Sequence, residues 1–118
     1  MADVPELLTT VYQDFNARRM DAVLERMTED VTWPNGWEGG YVHGREAVRD
    51  YWTRQWGVLE PRVEPISMVL DQAGRWVVNV HQVVKALTGE QAGQVIVDTM
   101  VRHAYRLRDG LIERMDIE

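Results

Sequence analysis

The chain has 118 residues, enough for one domain, and 19 acidic against 13 basic side chains give a formal net charge of −6, which repels phosphates and excludes nucleic acid as an expected partner. Hydrophobic residues at 45% and charged residues at 27% exclude disorder and allow a real core. There is no cysteine, hence no disulfide framework and no thiol nucleophile, and no basic-then-apolar leader or membrane-spanning run, so a cytoplasmic protein without a membrane partner is expected.

Residues 1–118 read as a single domain with no repeat, linker or low-complexity segment. Asp3 is a helix cap, with Glu6 three residues on and Pro5 in the tolerated first turn. Val4, Leu7, Leu8, Val11 and Phe15 follow at the spacing of one helical face, with Tyr12 at its edge. This helix is expected to stop near 16–19. A shorter second helix puts Met20, Val23, Leu24 and Met27 on one side. Asp30 to Trp33 reads as a short strand that Pro34-Asn35-Gly36 breaks. Trp37 to Tyr41 reads as a loop or irregular strand.

Gly44 opens a third helix that turns Ala47, Val48, Tyr51, Trp52 and Gln55 inward and ends at Gly57. A strand is expected near 63–70, with Pro61 and Pro65 on the way in, then a turn at 72–74 and a long strand over 76–86. Thr88-Gly89-Glu90 turns the chain into a closing hairpin around Asp109-Gly110, a strong hairpin signal. Helices followed by a four-strand meander indicate an α+β fold with an antiparallel sheet.

The hairpin's register decides which side chains share a face. A two-residue loop pairs His103 with Asp116. A three-residue loop, with Gly110 left-handed, pairs Leu107 with Leu111 and His103 with Met115, and sets Asp116 across from Arg102. The second gathers Val97, Val101, Tyr105, Leu107, Leu111, Met115 and Ile117 on one face and leaves only Glu113 out of place, so it is preferred. His103 is then the single polar side chain deep in an apolar stripe.

Tyr12 to Arg18, Met20 to Val23, Asp30 to Trp33, His43 to Val48 with Tyr51-Trp52, and Tyr105 to Ile112 together resemble the nuclear transport factor 2-like superfamily. Within it they are most similar to the SnoaL-like polyketide cyclases and the ketosteroid isomerases. The resemblance spans nearly the whole chain and implies a cone: a curved antiparallel sheet wrapped around three N-terminal helices, with a pocket between. It also implies a homodimer through the outer face of the sheet. In the isomerases a pocket tyrosine corresponds to Trp52 and a protonated oxyanion-hole aspartate to His103. Their oxyanion-hole tyrosine on the first helix aligns nearer Val11 than Tyr12. Their proton-shuttling aspartate falls in Val31-Thr32-Trp33-Pro34, which has no carboxylate.

His103 is the candidate catalytic residue, because an unperturbed pKa of about 6.5 suits proton transfer near neutrality. The competing reading is a buried histidine held by a polar neighbour. Four of the five tryptophans crowd into 33–56. Large rings of this kind wall ligand cavities or fill cores. Trp33, Trp37 and Trp52, with Tyr12 and Met115, are the expected ligand contacts. Trp56 is expected to pack, and Trp76 to lie at an edge or dimer contact.

Asp98 and Asp116 are expected on the outer face near Arg102. They have the residue types of an epoxide-hydrolase-like set but lie on the wrong side of the sheet for it. The turn at 88–90 leaves the facing of His81 open, and His43 is expected in solvent. The histidines have no metal-binding spacing, and no dinucleotide fingerprint, phosphate loop or nucleophile elbow is present. No metal and no cofactor are expected. The expected function is a pocket for a small apolar or aromatic ligand, with cofactor-independent acid/base chemistry of isomerase, cyclase, dehydratase or hydrolase type. The alternative is a non-catalytic ligand-binding or dimerisation module of the same fold.

Overall fold

The computed structural model describes residues 3–118. The Asp3 carboxylate accepts the Glu6 backbone N–H at 2.8 Å and so satisfies one of the orphan donors that open α1 (Val4–Asn16). The inward face of α1 is Leu7, Leu8, Val11 and Tyr12. Tyr12, expected at the edge of the stripe, is only 3% exposed. After α2 (Met20–Leu24) comes β1 (Met27–Pro34), four residues longer than its apolar run suggests. Met27 therefore opens a strand instead of closing the helical face.

The segment expected to be loop or irregular strand ends in a short strand, β2 (Tyr41–His43), paired antiparallel to β1. Gly44 caps α3 (Arg45–Val58), which buries Val48, Tyr51 and Trp52. β3 (Leu59–Leu70) then takes in both prolines. It tolerates them because it is the last strand of the sheet, where an absent N–H need not break a ladder. Its register to the next strand slips between Pro65 and Ser67.

β4 (Trp76–Ala86), β5 (Val95–Arg108) and β6 (Leu111–Ile117) complete one six-stranded sheet in the order β2-β1-β6-β5-β4-β3. The fold is α+β, as expected, and the sheet is curved. It is not wholly antiparallel: β1 runs parallel to β6. A parallel neighbour needs a long crossover, here everything from β2 to β5, so no local signal announces it. No helix among the described residues is long and apolar enough to cross a membrane.

The closing hairpin differs from both expected registers. Asp109 and Gly110 have φ of 54° and 78°, and Arg108 pairs with Leu111, so the loop has two residues of the I′ kind that matches strand twist. Leu107 pairs with Ile112, but Arg106 pairs with Arg114. Glu113, the residue that fitted no face, is therefore a β-bulge. The bulge shifts the rest by one residue, so Tyr105 meets Met115 and His103 meets Ile117. Asp116 lies across from Ala104, not Arg102.

Candidate functional site

The helices and the concave face of the sheet enclose a cavity of about 670 Å³. Val78 pairs with His103, and Val80 with Val101, on this inner face. Trp52 of α3 forms its wall, edge-on to Trp33 of β1 at 5.6 Å and to Phe15 of α1 at 5.3 Å. Trp56 stacks on Trp52 at 5.4 Å from outside the cavity lining. Trp33 and Trp52 are 7% and 1% exposed, whereas Trp37 stands at the rim and is 41% exposed. Trp76 is partly buried against the core and pairs with Leu70 and Tyr105, so it is no free edge residue.

One polar chain crosses the apolar interior. The Tyr105 hydroxyl donates to the Tyr12 hydroxyl at 2.7 Å, and Tyr12 is 2.8 Å from His103 Nδ1. With Tyr12 already accepting from Tyr105, its own proton goes to Nδ1. In that arrangement His103 carries its proton on Nε2, which has no protein partner among the described residues. The three rings also pack together, Tyr12 stacked on His103 at 5.9 Å and Tyr105 edge-on to both.

Burial sets the protonation of this chain. It lowers the His103 pKa to about 4, because charging an imidazole away from water is costly and no carboxylate faces it. Burial likewise pushes the Tyr12 and Tyr105 phenols up. At neutral pH all three are uncharged. None of the residues lining the cavity is Asp, Glu, Lys or Arg. The site can donate a hydrogen bond from a neutral imidazole into an apolar space, and it presents no charged base.

His103, Tyr12, Trp33, Trp37, Trp52 and Met115 all line this one cavity. Tyr105 was not singled out in the sequence, where it reads as one more apolar residue of the stripe. The available signal was its spacing, two residues beyond His103 on one strand and hence on the same face. Gln55, expected to face inward from α3, reaches the lining, and Gln82 and Tyr41 reach it unannounced.

The other polar candidates lie elsewhere. Asp98 and Arg102 pair with Val83 and Asn79 on the opposite face. His81 shares that face, with Nε2 2.7 Å from the Asp98 carboxylate. Arg114 and the Tyr41 hydroxyl both donate to Asp116, and Arg114 holds that carboxyl below its usual range. Neither aspartate nor Arg102 reaches the cavity. His43 is exposed, 3.2 Å from the Thr32 hydroxyl. No group of three His, Cys, Asp or Glu side chains among the described residues could hold a metal ion.

A family model described as the SnoaL-like domain matches residues 8–115. No curated relative matches the chain. Among solved structures, an NTF2-like protein of unknown function from Burkholderia pseudomallei superposes with a TM-score of 0.82 at 21% identity, covering 100% of this chain and 91% of that one. TerC, co-crystallised with polyporic acid, gives 0.76 at 25% identity over 95% and 86% of the two chains. The epoxide hydrolase/cyclase-like enzyme SalBIII, which acts in pyran ring formation in the polyether salinomycin, gives 0.75 at 21% identity over 96% and 87%.

Proposed function

This chain belongs to the SnoaL-like domain family, and from that premise we propose a cofactor-independent acid/base enzyme of isomerase or cyclase type. Its substrate is a small apolar or aromatic molecule bearing a carbonyl or ether oxygen. The observation that carries this reading is the buried Tyr105–Tyr12–His103 chain ending at the cavity. His103 donates its Nε2–H to the substrate oxygen, and the hydrogen bond strengthens as negative charge develops there. Tyr12, held by Tyr105, fixes the tautomer that makes Nε2 the donor. Trp33, Trp52, Trp37 and Met115 hold the apolar body of the ligand. The small molecules named with TerC and SalBIII support a ligand of this kind.

A second reading is a non-catalytic binder, favoured by the absence of any carboxylate from the lining. The two separate in one experiment. An aryl ketone is incubated with the protein in deuterium oxide, and exchange beside the carbonyl is followed by NMR. An enzyme accelerates exchange by stabilising the enolate oxygen through His103 while a solvent water takes the α-proton and returns a deuteron, and His103→Phe slows it by about 10²-fold or more. A protein that quenches its tryptophans on binding the ketone, yet leaves exchange at the solution rate, is a binder. We also propose a homodimer through the outer face, where Val69 and Met100 are 60% and 55% exposed. Sedimentation of the wild type against Met100→Glu tests it, and an unchanged single species excludes that contact.

A further inference from the structure

Gln82 sits on the inner face of β4 between Val80 and Val84 and lines the cavity. Its strand neighbours are Val63 on β3 and Thr99 on β5. The Thr99 hydroxyl donates to the Met100 carbonyl, and the Gln55 amide, also in the lining, donates to the Tyr51 hydroxyl. Among the described residues the Gln82 amide has no hydrogen-bond partner, so it presents a donor and an acceptor from the wall. A half-buried amide is costly to leave unpaired, and on the inner face a molecule filling the cavity can supply the partner.

Its position supplies a length. His103 pairs with Val78, four residues from Gln82 along β4, which at strand rise is about 13 Å. On the sheet wall, His103 and Gln82 are separated by the apolar Val80 and Val101. We infer that Gln82 is a specificity-determining residue that recognises a second oxygen at the far end of the ligand. The preferred ligand is thus an elongated, uncharged molecule with oxygens at both ends. This rests on the reading that the ligand oxygen meets His103, and Gln82 would take no part in the chemical step.

The test uses two rods, 4-acetylbiphenyl and 4-acetyl-4′-hydroxybiphenyl, titrated against tryptophan fluorescence of the full chain. The wild type is expected to bind the hydroxylated rod about three- to ten-fold more tightly, the worth of one neutral hydrogen bond. Gln82→Leu keeps the volume and removes the amide, and should erase that preference, with 4-acetylbiphenyl bound at least as tightly as by the wild type because no amide is left unpaired beneath it. His103→Phe should weaken both rods and keep the preference. If Gln82→Leu keeps the preference while His103→Phe weakens both rods, the role of Gln82 is overturned and the site stands. If His103→Phe weakens neither, or neither rod binds the wild type, the site reading falls and this inference with it.

Discussion

The two faces of one sheet hold two histidines on adjacent strands, His103 on β5 and His81 on β4, and surround them differently. His103 is 6% exposed, accepts from a neutral phenol and meets no charged group in the cavity. His81 lies on the opposite face with its side chain 39% exposed and 2.7 Å from a carboxylate that is itself 63% exposed. A one-residue difference in facing separates a group whose ionisation is blocked by burial from one that stands in solvent beside a carboxylate. The inner face carries no charge, and its most buried polar groups are joined in the Tyr105–Tyr12–His103 chain. The outer face spreads charge over independent pairs such as Arg75–Glu118 and His81–Asp98. Changes on the first should be large and coupled, and changes on the second small and separable.

The largest contrast should come from Trp52→Ala. Trp52 is 1% exposed and touches Trp33, Phe15 and Trp56, so truncation removes a cavity wall and should cost about 3–5 kcal/mol, a large share of the stability of a domain this size. Val69→Ala on the outer face, at 60% exposure, should stay within about 0.5 kcal/mol. Urea unfolding measures both. Equal losses would mean that the aromatic wall is no part of the core.

Next comes pH. Burial holds His103 to a pKa of about 4 when folded, against an ordinary value of 6.5, so between these values the unfolded chain binds the proton and the folded chain does not. The contribution of His103 is fully present above about 6.5, falls as the pH drops and is lost near 4. The gap corresponds to on the order of 3 kcal/mol. Asp30, Asp71 and Asp116 have carboxyls lowered by arginine and backbone hydrogen bonds, so their losses belong to more acid conditions. The difference in stability between wild type and His103→Phe, followed from pH 7 to pH 4, should therefore narrow steadily. A constant difference would show that His103 titrates normally.

Much of this contrast was legible in the sequence. The apolar spacing of α1 and α3, the caps at Asp3 and Gly44 and the extent of β4 follow from local chemistry. Alternation alone put His103 inside and Asp98 outside, because facing depends only on odd or even separation along a strand. What was not legible is non-local. The β1–β6 parallel pairing joins residues some eighty positions apart, and the phenol that meets His103, Tyr12, comes from α1, whose approach to β5 only tertiary packing fixes. The hairpin lies between these cases. Its turn type was carried by Asp109-Gly110, and its bulge was visible only as Glu113 failing to fit a face. Treating that misfit as an inserted residue would have given the observed pairing without moving the turn.

The smallest effect should come from the outer pair. His81 and Asp98 are diagonal neighbours across β4 and β5, both well exposed. Side-chain ordering and solvent screening offset most of the attraction in such a pair, so its coupling should be about 0.5 kcal/mol or less. A double-mutant cycle with His81→Ala and Asp98→Ala at low and high salt measures it. The coupling should fall further with salt, because a pair open to water is screened. A coupling above about 2 kcal/mol that persists in salt would show that this face is covered in solution. That result would take the pair out of the surface class and make it evidence for the dimer contact.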